Sequence, residues 1–170
     1  MSRQRILLRR AIEEAEGYLE LGMSAHALSS LQRRGALVHG NGRACYLLGE
    51  TLREMGRYEE ALVPLERSAN LVPDDIHIWL ALGWCYKRTG QLARAIEALE
   101  RAVDVDPGEA VLHYNLACYW SLARNRSRAL RYLAQALEMD SNFRDLIDSE
   151  PDFNTLRHDP EFKLLTSVIV

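Results

Sequence analysis

The fold is decided by residues 76–109, which read IHIWLALGWCYKRTGQLARAIEALERAVDVDPGE. Apolar residues recur there at the i, i+3, i+4, i+7 spacing of one helical face, first around Trp79 and again around Leu99. Gly90 separates the two runs, and glycine adopts positive φ without steric cost in a tight turn. Pro107 ends the second run because proline has no N–H to donate. The stretch therefore predicts two short amphipathic helices joined by a turn.

The same pattern returns at a shift of about 34 residues, both before and after this stretch. One helical hairpin cannot bury its apolar face alone, so successive hairpins stack and share a core. This order of residues resembles the tetratricopeptide repeat family, in particular its small bacterial members. The residues that carry the resemblance are Trp79, Leu82, Gly83, Tyr86, Gly90, Ala95, Leu99, Ala102 and Pro107.

The resemblance implies an all-α fold, a right-handed α-solenoid of stacked helix-turn-helix hairpins. Three good repeats follow one degenerate N-terminal repeat, and a segment with capping helices closes the chain. That closing segment reads PDFNTLRHDPEFKLL and is similar to the end of many bacterial proteins of this family. The predicted parts of the single domain 1–170 are the degenerate repeat 8–41, the repeats 42–75, 76–109 and 110–143, and the cap 144–170.

Some departures from the repeat pattern lead to local predictions. Pro64 lies inside a predicted helix, where we expect a bend and not a helix end, because the apolar period continues beyond it. Glycines within 35–42 predict a loose connection after the first repeat. His113 replaces a large apolar residue and is expected as a hydrogen-bonded core histidine. Asp159 and Pro160 read as an N-cap and first position of a last helix.

Composition and charge narrow the class of protein. The formal net charge is −3 over 170 residues, which argues against a general nucleic-acid binder. The three cysteines lie far apart and have no metal-ligand spacing, so we expect buried free thiols in a reducing compartment. No run of apolar residues is as long as that of a signal peptide or a membrane span. These features predict a cytoplasmic protein without cofactor or metal.

The candidate binding surface follows from the resemblance. In that family the first helices of the repeats line a concave groove, which typically holds an extended or helical peptide. The corresponding residues here are Arg43, Tyr46, Glu50, Arg53, His77, Leu80, Trp84, Lys87, Arg88, Tyr114, Asn115 and Cys118. The main contacts are expected at Tyr46, Trp84, Lys87, Arg88 and Tyr114, since aromatic residues and arginine dominate interface energies. The alternative for Trp84 is packing against the next repeat.

We therefore predict a non-catalytic scaffold or adaptor, a monomer or homodimer, that binds a protein or peptide and neither nucleic acid nor membrane. A specialised alternative is a chaperone of bacterial type III secretion, which has similar length and the same repeats. Adaptors for heat-shock chaperone tails use a clamp of lysine, asparagine and arginine in successive first helices. The matching positions here lack its basic residues in both registers, so the sequence does not predict this subtype.

Two further alternatives, an enzyme and a nucleic-acid-binding protein, have little support in the sequence. The five histidines are spread from the degenerate repeat to the cap and have no HExxH spacing, so no catalytic site is predicted. Arginines at 124–131 have no aromatic residues alternating with them to stack bases, which favours a solvated turn over a nucleic-acid site. The N-terminal arginines at 3–10 are expected to form a solvated cap, with a phosphate-binding arm as the alternative.

Overall fold

The computed structural model describes residues 3–167, and all regular structure in that range is helical. The predicted all-α fold of helix-turn-helix hairpins is confirmed. The termini of the predicted domain, residues 1–2 and 168–170, lie outside the described residues. The helices are α1 (Arg3–Glu20), α2 (Ser24–Gln32), α3 (Gly35–His39), α4 (Gly42–Glu54), α5 (Tyr58–Leu71), α6 (Ile76–Arg88), α7 (Leu92–Val105), α8 (Ala110–Leu122), α9 (Arg126–Met139), α10 (Arg144–Ile147) and α11 (Pro160–Thr166), with 3-10 turns at Ser141–Phe143 and Pro151–Phe153.

The chain packs as two compact units that divide between Gln91 and Leu92. In the first unit α1 packs on α2, α4 packs on α5, and α6 lies against both α4 and α5. In the second unit α7 and α9 pack on α8, the 3-10 turn at Pro151–Phe153 also contacts α8, and α11 contacts α9. The repeat boundaries and the single domain stay predictions.

Small residues let the helices of the first unit approach closely. Gly49 faces Leu65, and a Cβ on Gly49 would lie only 2.4 Å from the Leu65 Cγ. The buried Ser68 hydroxyl of α5 donates a 2.8 Å hydrogen bond to the carbonyl of Gly42 in α4. The α4–α5 pair is therefore held by a close apolar contact and by a satisfied polar one.

The turns between paired helices use the left-handed backbone region. Gly90 has φ +75°, as expected of a residue without Cβ. The corresponding position between α8 and α9 holds Arg124, with φ +58°, and it is the non-glycine residue with positive φ within 3–167. The repeat geometry thus imposes this conformation even where the sequence supplies no glycine.

The local predictions have mixed outcomes. Helix α5 continues through Pro64, so proline does not end it. The connection after α2 is not loose, because Gly35–His39 forms the short helix α3 and buries Val38. His113 is a buried, hydrogen-bonded core histidine as expected, with its Nε2 2.8 Å from the Pro107 carbonyl oxygen.

The segment after α9 packs on the second unit through aromatic residues. Phe153 is fully buried and lies edge-on to Tyr114, with ring centroids 5.8 Å apart. Phe162 is buried in α11 and contacts Phe153. Asp159 caps α11 as predicted, accepting hydrogen bonds from the backbone N–H groups of Glu161 and Phe162. Ile147 is also buried in this segment, while its neighbour Leu146 is exposed.

Acidification should remove a contribution of Asp159 to stability. Its hydrogen bonds to the Arg126 guanidinium, followed by those from the helix backbone, lower the pKa of Asp159 to about 2. The pKa in an unfolded chain is about 3.9. Because the folded pKa is the lower one, the contribution is complete above about pH 4 and is lost as the pH falls through about 2.

Urea unfolding of the wild type and of Asp159→Asn, repeated at decreasing pH, measures this effect. Asparagine keeps the capping oxygen and removes the charge. The stability difference between the two proteins should shrink as the pH falls through this window. A difference that does not depend on pH would contradict the role of the charge.

Candidate functional site

In the first unit the predicted groove residues lie on α4 and α6, and α1 lies on the other side of α4 from α6. Helix α4 contacts both of the other two, so the three first helices lie side by side. A cleft of about 320 Å³ opens between α1 and α4. Its lining residues are Glu16, Leu19, Glu20, Arg43, Tyr46, Leu47, Glu50 and Glu54. The structure therefore brings together three of the predicted groove residues, Arg43, Tyr46 and Glu50.

Carboxylates outnumber cations in this cleft. Arg43 bridges from α4 to Glu16 on α1, with Nη2 and Oε1 2.7 Å apart. Glu50 is paired on its own helix with Arg53 at 2.8 Å. Glu54 accepts a hydrogen bond from the Ser24 hydroxyl. Glu20 adds a further exposed carboxylate at the end of α1.

Tyr46 lies half-buried among these charges. The Arg43 guanidinium carbon is 5.6 Å from the centre of its ring. Burial raises the pKa of Tyr46 to about 12, and the nearby negative charges of Glu50 and Asp75 add to that effect. The phenol is therefore neutral at physiological pH, and it offers the cleft a hydroxyl and an aromatic edge.

Helix α6 carries the aromatic and basic part of the face. The Trp84 side chain is 41% exposed, so the predicted accessible indole is present. The Lys87 ammonium lies 5.8 Å from the Trp84 ring centre. Arg88 extends over the Tyr58 ring of α5, at 5.1 Å. Leu80 is half-buried, and His77 is exposed at the start of the helix.

Two groove residues predicted on α8 are not at a surface. Tyr114 is only 5% exposed, because its ring stacks on Phe143 with centroids 4.7 Å apart. Cys118 is buried one turn further along α8. The segment after α9 covers this face of α8, so these two positions are corrected to core positions. Asn115 between them is half-buried.

Sequence reasoning missed residues of two kinds. Glu16, Leu19 and Glu20 line the cleft from the degenerate repeat, whose weak pattern drew attention away from its polar face. A group of possible metal ligands, Cys118, Glu150 and Asp152, was missed because its members are far apart in sequence. The polar character of α1 next to α4 could have indicated the first group. No sequence signal indicated the second.

The arginines near α9 are held by the protein itself. Arg126 bonds to Asp159 and, at 2.9 Å, to Glu161. The Arg128 guanidinium lies 4.4 Å from the Trp120 ring centre. Arg131 packs over the ring of Tyr132 in the same way. These contacts pair Arg126 with carboxylates and place Arg128 and Arg131 over aromatic rings of the same unit.

The comparisons with known proteins agree with this architecture. Residues 52–117 match the family described as tetratricopeptide repeat. Residues 52–117 therefore contain tetratricopeptide repeat sequence. The match includes α5, α6 and α7 and reaches into α8, so it contains the stretch 76–109 that decided the sequence analysis. The resemblance drawn from the sequence is confirmed. Among curated proteins, no sequence matches the chain significantly. Within 3–167 no helix combines the length and apolar character needed to cross a membrane.

Solved tetratricopeptide repeat structures superpose on most of the chain. The crystal structure of MamA has a TM-score of 0.74 at 23% identity, covering 78% of this chain and 77% of that chain. MamA from Desulfovibrio magneticus RS-1 has a TM-score of 0.73 at 25% identity, covering 78% and 75%. YrrB, described as a repeat protein with an unusual peptide-binding site, has a TM-score of 0.73 at 24% identity, covering 79% and 70%. These similarities establish the fold.

Proposed function

We propose that this protein is a non-catalytic interaction scaffold that binds a peptide segment of a partner protein on the face formed by α1, α4 and α6. The observation that carries the proposal is the cleft between α1 and α4, which contains Tyr46. Peptide binding by YrrB, a protein of the same fold, is consistent with it. The buried Cys45 and Cys85 support a non-catalytic role, because burial raises the pKa of both thiols and leaves them unreactive. Their reduced state fits a cytoplasmic protein.

The negative charge of the cleft favours a ligand with a positively charged side chain. Its lining includes the carboxylates of Glu16, Glu20, Glu50 and Glu54 but only one cation, Arg43. A lysine or arginine side chain of the ligand complements this excess, while its aliphatic stem can pack on Tyr46. We therefore propose a ligand segment that presents a basic residue to the cleft.

The exposed indole on α6 supplies an apolar contact on the same face. Trp84 is an aromatic side chain with a large accessible area, and Lys87 lies beside its ring. Tryptophan is among the residues that most often dominate binding energy. The ligand proposed for this face therefore combines a basic residue for the cleft with an apolar residue for Trp84.

Selection from a random peptide display library against the purified full chain tests the function. Selected peptides should be enriched in a lysine or arginine together with an aliphatic or aromatic residue. Synthetic versions are then titrated by fluorescence anisotropy. Glu20→Lys should weaken binding at least about tenfold, since charge-assisted contacts contribute about 1.5–3 kcal/mol. Glu20 lies in the last turn of α1, where a lysine also suits the helix dipole, so folding is preserved.

The matched control is Glu97→Lys, the same charge change at an exposed position of α7 outside this face. It should leave the affinity within about twofold, because a distant surface charge is screened by salt. Trp84→Ala should also weaken binding of the selected peptides. The proposal is wrong if selected peptides are acidic, or if their affinity is the same for the wild type and for both face variants.

A further inference from the structure

A second group of polar side chains lies in the second unit, on α8 and on the segment after α10. Helix α8 supplies Tyr114 and Cys118, one turn apart on the same side of the helix. The segment after α10 supplies Glu150 and Asp152. One ligand atom each of Cys118, Glu150 and Asp152 lies within 4.8 Å of the others. Cys118 and Asp152 are buried, and Glu150 is half-buried.

Hydrogen bonds fix the backbone that carries these side chains. The Ser121 hydroxyl of α8 donates to the carbonyl of Asp152 at 2.7 Å, which docks the segment on the helix. Glu150 accepts from the backbone N–H of Asp152 through Oε1, so its carboxylate is oriented toward the 3-10 turn. Arg157 donates to the carbonyl of Glu150 at 2.9 Å. The group is thus held by main-chain contacts that do not depend on a ligand.

A buried hydroxyl without a hydrogen-bond partner lies next to this group. The Tyr114 side chain is 95% buried by its contacts with Phe143 and Phe153, yet its hydroxyl has no partner among the described residues. Tyr114 precedes Cys118 by one turn on the same side of α8, and its ring contacts Phe153, the residue that follows Asp152, so this side chain packs beside the group. An unsatisfied buried hydroxyl costs about 1–3 kcal/mol and requires an explanation.

We infer that Cys118, Glu150 and Asp152 form a binding site for a divalent metal ion, with the Tyr114 hydroxyl at its edge. The donor set of one thiolate and two carboxylates favours zinc, which accepts sulfur and oxygen ligands in tetrahedral geometry. Magnesium and calcium prefer sites made only of oxygen. Binding displaces the thiol proton of Cys118 to solvent. Because Glu150 is only half-buried, an ion can reach the site from solvent past its side chain. The Tyr114 hydroxyl binds the ion or a water on it.

Metal titration of the full chain tests this inference. The purified protein is stripped with a chelator and titrated with Zn²⁺ by calorimetry and with Co²⁺ by absorption spectroscopy. We expect one Zn²⁺ bound per chain and a thiolate-to-cobalt charge-transfer band. Cys118→Ser should abolish the band and lower the zinc affinity by more than the 10–100-fold typical of outer-shell changes. Tyr114→Phe, which removes only the hydroxyl, should lower the affinity by about 10–100-fold.

The control is Cys85→Ser, which alters an equally buried cysteine of the first unit and should leave band and affinity unchanged. Glu150→Gln keeps an oxygen that can accept from the Asp152 backbone while it removes the charge, so a folded second variant is available if Cys118→Ser does not fold. The site does not exist if the wild type binds no zinc, or if zinc binding is equal in the wild type, Cys118→Ser and Glu150→Gln.

Discussion

Replacing Phe153 with alanine should lower the free energy of unfolding by about 3–5 kcal/mol, the cost typical of a phenylalanine removed from a core. The ring is fully buried and contacts two other aromatic rings, Tyr114 and Phe162. Its loss leaves a cavity and also removes the edge-to-face contact with Tyr114. Because α11 reaches this core through Phe162, we expect its packing to weaken as well.

Urea unfolding followed by circular dichroism measures the Phe153→Ala effect. The matched control is Leu164→Ala, which shortens a side chain of the same segment that is exposed to solvent. Surface substitutions of that kind usually change stability by less than about 0.5 kcal/mol. If Phe153→Ala and Leu164→Ala had equally small effects, the segment after α10 would not be packed as described.

Gly49→Ala should destabilise the first unit by about 1–3 kcal/mol. Alanine is the better helix former by about 1 kcal/mol, so propensity alone predicts a gain. The steric term outweighs that gain, because the new Cβ would lie 2.4 Å from Cγ of the fully buried Leu65. Helices α4 and α5 cannot move apart without breaking the hydrogen bond from the Ser68 hydroxyl to the Gly42 carbonyl.

The control is Gly17→Ala in α1, where no heavy atom lies within 4 Å of the added Cβ. At that position the substitution changes helix propensity without a steric clash, and we expect stabilisation by about 0.5–1 kcal/mol. A double-mutant cycle with Leu65→Ala locates the clash: the double variant should be more stable than the sum of the single effects by about 0.5–3 kcal/mol. Additive effects, or a stabilising Gly49→Ala, would show that the two residues are not in close contact.

The sequence predicted the architecture well because the repeat is defined by local features. Spacing of apolar residues around Trp79 and Leu99 marks helical faces, and Gly90 and Pro107 mark where helices end. Those features depend on sterics and hydrogen bonding within a few residues. The N-cap at Asp159 was predictable for the same reason, since capping involves only the next three residues.

The binding face was less predictable because exposure depends on what covers each helix. Tyr114 and Cys118 occupy positions of α8 that are open in a regular repeat, but the segment after α9 packs over them. Repeat periodicity carries no information about that segment. Glu16 and Glu20 joined the cleft because α1 lies against α4, and the degenerate first repeat did not reveal this contact.

The aromatic segment that follows α9 also bears on self-assembly. A stack of similar hairpins has no intrinsic end, since its last apolar face can accept another hairpin, including one from a second copy of the chain. Growth of that kind is heterologous and produces open filaments. Phe143 and Phe153 contact Tyr114 of α8, so the part of α8 that these rings cover is not open to such a contact. We therefore expect the segment to oppose growth of this kind, as a chain terminator does in a polymerisation.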